Sequence, residues 1–120
     1  MPPVERIDMT EVEEVKVVQF RDHQLFDERV VHEAAEQIAV QLPNDGSPIN
    51  LVLNFSGVGL ISSTLLSKLV LLQRRVDASR GKMRLCELSP VLEQVFRTSR
   101  LDRLFGIDRD LRTALDHFRS

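Results

Sequence analysis

The sequence predicts an α/β domain: a mixed β-sheet of four to five strands with about four α-helices, in the order β-β-α-β-α-β-α-β-α. Three observations lead there. Short apolar runs suited to strands recur at Val15–Phe20, Ile49–Phe55 and Lys82–Leu88. Stretches of helical period lie between them, and turn-forming residues separate each stretch from the next. Strands that alternate with helices pack as right-handed crossovers over a largely parallel sheet, and an N-terminal hairpin makes that sheet mixed. The 120 residues fit one domain, residues 1–120, because single cores typically serve roughly 100–200 residues.

Each element has its own local reason. Ile7 to Glu13 alternates weakly, and Val15-Lys16-Val17-Val18-Gln19-Phe20 is β-branched and apolar, with the acidic run Glu11 to Glu14 at a solvated turn or edge. Asp27 can cap a helix through its carboxylate. Val31, Ala34, Ala35, Ile38 and Leu42 then fall on one helical face, and Pro43 with Asn44-Asp45-Gly46-Ser47-Pro48 stops it. Ile49 to Phe55 is short and mostly apolar, as a strand buried on both faces should be. Ser56-Gly57-Val58-Gly59 is a loop. From Ser62 a second helix carries Leu65, Leu66, Leu69, Val70, Leu72 and Val76 on its apolar side, and Gly81 terminates it. Lys82 to Leu88 is the next strand. Ser89-Pro90 opens a third helix, Ser as cap and Pro at the first helical position. Leu104 to Ile107 is a short last strand, and Asp108 or Asp110 caps a final helix with Leu111, Ala114, Leu115 and Phe118 on one side.

Composition excludes several classes of function. Net charge is −2, so the basic footprint of a nucleic-acid binder is missing. The aromatics are six Phe with no Trp or Tyr, a poor supply of stacking platforms for bases. No run approaches the ~18 apolar residues of a membrane span, and Met1-Pro2-Pro3-Val4-Glu5 lacks the pattern of a secretory signal. One cysteine, Cys86, rules out an internal disulfide and a cysteine-based zinc cage, which favours a reducing, cytoplasmic setting. His23, His32 and His117 are scattered, so no metal site and no cofactor is expected. There is no Gly-x-Ser-x-Gly elbow and no phosphate loop. Without paired carboxylates or an activated nucleophile, the chain does not read as an enzyme; His23 is the one base placed to serve Ser63.

The chemically pointed feature is the hydroxyl triplet Ser62-Ser63-Thr64, which follows a buried strand and a glycine loop and opens an amphipathic helix. Ligand sites in such sheets gather beyond the carboxyl ends of strands, where Asn54–Thr64 falls. Ser62 or Ser63 can act as the N-cap. A further hydroxyl can accept a phosphoryl group, whose charge is tolerated by the free amides and positive dipole end of a helix start.

Here the chain resembles the STAS domain family, which includes bacterial anti-sigma factor antagonists, from about Val12 to Phe118. Leu51-Val52-Leu53-Asn54-Phe55-Ser56-Gly57-Val58 is similar to the family's strand and Asp-x-Ser-x-Val loop. Ile61-Ser62-Ser63-Thr64-Leu65-Leu66 lies where the family carries Asp-Ser-Ser-Gly-Leu. Gly81 to Cys86, Ser89-Pro90 and Ser99 to Phe105 resemble its later strand, helix and leucine-aspartate segment.

The resemblance implies a protein that binds an anti-sigma factor which is also a serine kinase, and is released when phosphorylated, thereby regulating transcription by partner switching. Ser63 matches the phosphoacceptor, with Ser62 and Thr64 as alternatives. Asp22, Asn54, Ser56, Gly57, Val58, Gly59, Ser62, Ser63 and Thr64 are the implied partner-binding residues. Ser62 and Asn54 stand where the family usually has Asp, and Leu65 replaces Gly. Arg21 to Asp27 lacks the usual Gly-x-Leu-Asp. These neutral replacements support an alternative, a non-switching scaffold or adaptor in a stress-signalling or lipid-transport complex. The sheet edges leave a homodimer open.

Overall fold

In the computed structural model, which describes residues 4–119, β1 (Ile7–Val12) and β2 (Val15–Phe20) form an antiparallel hairpin turning through Glu13 and Glu14. Met1–Pro3, part of the stretch read for a signal, and Ser120 lie outside the described residues. After a two-residue strand β3 (Gln24–Leu25) come α1 (Glu28–Ala39), β4 (Asn50–Asn54), a second two-residue strand β5 (Leu60–Ile61) and α2 (Ser63–Ala78). β6 (Lys82–Cys86), α3 (Pro90–Thr98), a 3-10 turn at Leu101–Arg103, β7 (Gly106–Asp108) and α4 (Leu111–Asp116) complete the chain. The main sheet runs β1-β2-β4-β6-β7, antiparallel at the hairpin and parallel elsewhere; β3 and β5 pair in parallel apart from it.

The pleat sorts side chains to two layers, since alternate residues of a strand face opposite ways. Val18, Phe20, Leu51, Leu53, Phe55, Met83 and Leu85 pack under Val31, Ala34 and Ile38 of α1, Leu65, Leu69 and Val76 of α2, and Leu92 and Phe96 of α3. Phe20 and Phe55 meet with ring centroids 5.0 Å apart. On the other face Val15, Val17, Val52 and Cys86 lie beneath Ala114 of α4, with Leu111, Leu115 and Phe118 beside them. Cys86 is the small buried apolar residue its place in a strand predicts. Burial, then the charges of Glu87, Asp108 and Asp110, push its thiol up to about 12.

The mixed sheet with four helices agrees with the sequence prediction; several boundaries do not. The first strand stops at Val12 because Glu13 and Glu14 turn with φ of 50° and 70°. The strand predicted to reach Leu88 ends at Cys86, where Glu87 takes φ 61° and swings the chain away. The last strand is Gly106–Asp108 rather than Leu104–Ile107: Phe105 donates its amide to Leu101 O and so belongs to the preceding turn. Asp110, not Asp108, caps α4 by accepting from Thr113 N at 2.8 Å. Asp108 instead takes a two-pronged bond from Arg84 on β6, at 2.8 and 2.9 Å. Gly106 lies under that guanidinium, where a Cβ would fall 2.2 Å from Arg84 Nη1.

Candidate phosphoacceptor site and its supporting loop

β4 delivers the chain to the site at Asn54. Its Oδ1 accepts from Ser56 N at 2.9 Å, folding the backbone into an Asx turn immediately after the strand. Val58 N donates to Phe55 O at 3.0 Å, closing a β-turn whose third residue, Gly57, needs φ 85°. Val58 itself is 3% exposed and anchors the loop in the core. Two groups from the β2–β3 side fasten this turn: Gln19 Nε2 donates to Ser56 O at 2.9 Å, and His23 Nδ1 to Gly57 O at 2.9 Å. Gly59 N donates to His23 O at 2.8 Å, and Ser62 N to Leu25 O at 3.0 Å, extending the β3–β5 ladder to the start of α2.

At that helix start the three hydroxyls have separate situations. Ser62 is 9% exposed and has extended backbone; its Oγ accepts from Leu65 N at 3.1 Å. Ser62 is therefore the cap. Ser63 is the first residue of the helix and exposed; Thr64 is half-buried. Leu66 N reaches back to Ser62 O at 3.2 Å. Helix geometry leaves the amides of Ser63 and Thr64 pointing out of the helix end without intrahelical acceptors. The first turn holds no acidic residue, so nothing in it opposes an added anion.

The structure thus divides the nine residues implied as a partner surface. Ser56, Gly57, Gly59 and Ser63 are exposed on adjoining segments, with Thr64 beside them. Asn54, Val58 and Ser62 sit inward and hold those segments in place. Asp22 is taken up by Arg6, whose Nη1 lies 3.1 Å from its Oδ1 while Nη2 holds Glu33 at 2.9 Å. Sequence reasoning missed Gln19 and the structural role of His23. Both act through backbone carbonyls of a loop thirty-odd residues away, and neither pattern nor spacing signals such a contact.

The sequence profile of the STAS domain matches residues 6–114. The chain belongs to the STAS domain family. Among solved structures, it is similar to an anti-sigma-factor antagonist (STAS) domain protein from Planctomyces limnophilus, with a TM-score of 0.81 at 22% identity over 95% of this chain and 98% of that one. A candidate anti-sigma factor antagonist from Thermotoga maritima gives 0.81 at 20% identity, over 95% of both chains. A murine anion transporter, solute carrier 26 family member A9, gives 0.73 at 15% identity over 88% of this chain and 18% of the transporter. Comparison with curated proteins gives no match. At these identities the likenesses establish a shared STAS fold. No helix among the described residues is long and apolar enough to cross a membrane.

Proposed function

We propose that this STAS protein is an anti-sigma factor antagonist, a protein-binding regulator rather than an enzyme, that docks on a serine kinase of the anti-sigma type and is released by phosphorylation of Ser63. The observation that carries this reading is the division of labour at the helix start. Ser62 supplies the cap, so the exposed Ser63 hydroxyl is spared for transfer from a partner's ATP. A dianion there meets the positive end of a sixteen-residue helix and outward amides, which tolerate it within the molecule. The same charge beside the exposed Ser56–Gly57 turn changes a neutral contact surface into an anionic one, which expels a partner fitted to the neutral form. Incubation with the cognate kinase and ATP, followed by peptide mass spectrometry, should place phosphate on Ser63. Ser63→Asp should weaken kinase binding and Ser63→Ala should bind persistently. Phosphate on none of residues 62–64, with both variants binding like wild type, overturns the switch.

A second reading is favoured by one specific observation. Asn54 and Ser62, neutral where the resemblance puts carboxylates, are spent on internal bonds to Ser56 and Leu65. That pattern suits a docking surface kept without a switch, as in a scaffold or adaptor. Affinity capture with unmodified and Ser63→Asp protein separates the two: equal recovery of the same partner supports the scaffold.

A further inference from the structure

Charge is distributed unevenly along the chain and, because of the strand order, across the molecule. Residues 4–42, which build β1, β2, β3 and α1, carry four Lys/Arg against ten Asp/Glu. Residues 63–119, from α2 onward, carry twelve against seven. β1 forms one edge of the main sheet and β7 the other; α2, with Lys68, Arg74 and Arg75, packs against α1, and Arg119 pairs with Glu13, so the positive charge that faces away from the acidic side is the Arg97, Arg100 and Arg103 group near the β7 edge. Neither edge strand has a partner on its outer side among the described residues.

Each side also carries exposed apolar surface. On the acidic side Ile7, Met9 and Val40 line a depression of about 500 Å³ between β1 and α1, rimmed by Glu5, Asp8 and Gln37. Val40 is 72% exposed. Arg21 bridges Glu5 and Asp8, so this trio remains net negative. On the basic side the turn before β7 presents Leu104, 43% exposed, next to Arg103 and near Arg100, whose φ of 62° forms a tight corner. Arg97, Arg100 and Arg103 form no ion pair among the described residues. Asp102 and Glu93 are the acids on the same elements, outnumbered by these three arginines.

We propose that copies of this chain associate head to tail, the Leu104 corner and its arginines of one copy seating in the Ile7–Met9–Val40 depression of the next. The two surfaces are different parts of one molecule, so the contact is heterologous and propagates unless its rotation closes a ring. Charge complementarity steers the encounter, and apolar burial holds it. This inference does not depend on Ser63 or on any kinase.

Sedimentation velocity of the full chain over a hundredfold concentration range tests it. At low salt the weight-average mass should climb past that of a dimer. Raising salt to 1 M, which shortens the screening length to about 3 Å, should return it toward monomer. Leu104→Asp and Val40→Asp each spoil one of the two surfaces at an exposed position, and each alone should stay monomeric with an unchanged circular dichroism spectrum. Mixed in equal amounts they retain one intact contact between them and should form a 1:1 complex that stops at two chains. A wild type that remains monomeric at every concentration, a mass that plateaus at dimer while each variant alone still dimerises, or a mixture that fails to associate overturns the proposal.

Discussion

Exchanging Ser62 and Ser63 for alanine, one at a time, separates architecture from chemistry at the start of α2. Ser62 Oγ receives the Leu65 amide at 3.1 Å in a setting where Ser62 is 9% exposed. Its loss leaves that amide without a partner and with poor access to water. An N-cap replacement typically costs about 1 kcal/mol, reaching about 2 kcal/mol when the site is closed to solvent. With urea slopes of about 1–3 kcal/mol per molar, Ser62→Ala should lower the unfolding midpoint by about 0.3–2 M without changing the slope. Ser63 is exposed, and its replacement should lie within about 0.5 kcal/mol of wild type. Urea unfolding followed by circular dichroism reads both. If Ser63→Ala destabilises as much as Ser62→Ala, the assignment of the cap fails, and with it the argument that Ser63 is held in reserve.

Three further outcomes follow from the same contacts. Gly81→Ala would place a Cβ 1.8 Å from the backbone oxygen of Ile49; since neither backbone can step aside cheaply, thermal unfolding should show a loss of about 3 kcal/mol or more. Replacing Glu13-Glu14 by Asn-Gly gives the hairpin residues that accept positive φ, and should raise the melting temperature, by roughly 4 °C for each 1 kcal/mol gained; an unchanged or lower value refutes a backbone cost to the two glutamates in that turn. The bond from the Thr113 amide holds the Asp110 carboxyl below its ordinary value. A depressed carboxylate stabilises above its unfolded pKa, about 3.9, and that contribution fades as pH falls through the folded value. Asp110→Asn should keep the cap while flattening this acid limb of a stability-against-pH profile; an unaltered limb refutes the role of Asp110.

Much of the fold was legible because burial repeats at the period of the element that makes it. Val31, Ala34 and Ile38, or Leu65, Leu69 and Val76, mark their helices by spacing alone, and Asp27 and Ser89 mark two helix starts by capping chemistry, with Asp110 one of two candidates for a third. What escaped was short or strained. β3 and β5 have two residues each and exist only through their mutual pairing, so no local pattern could announce them. Glu87 ends its strand by adopting a left-handed backbone that glycine favours, and a glutamate there gives no warning. At the site, the hydroxyl triplet stood out in the sequence, whereas which hydroxyl was buried depended on how β5 tilts the chain into α2. Asp22 is among the residues the resemblance implies for a partner, and only the fold reveals Arg6 beside it.

The two-residue ladder between β3 and β5 has a consequence out of proportion to its size. Together with the Gln19 and His23 bonds it staples the Ser56–Gly59 segment to the β2–α1 connection. A visiting molecule therefore finds the contour already cast, and loses little association free energy to freezing a wandering strand of backbone. On the proposed reading, recognition here depends on fit to a rigid relief, so a change as small as one added phosphate would not be absorbed by local yielding and would be felt by whatever rests against it.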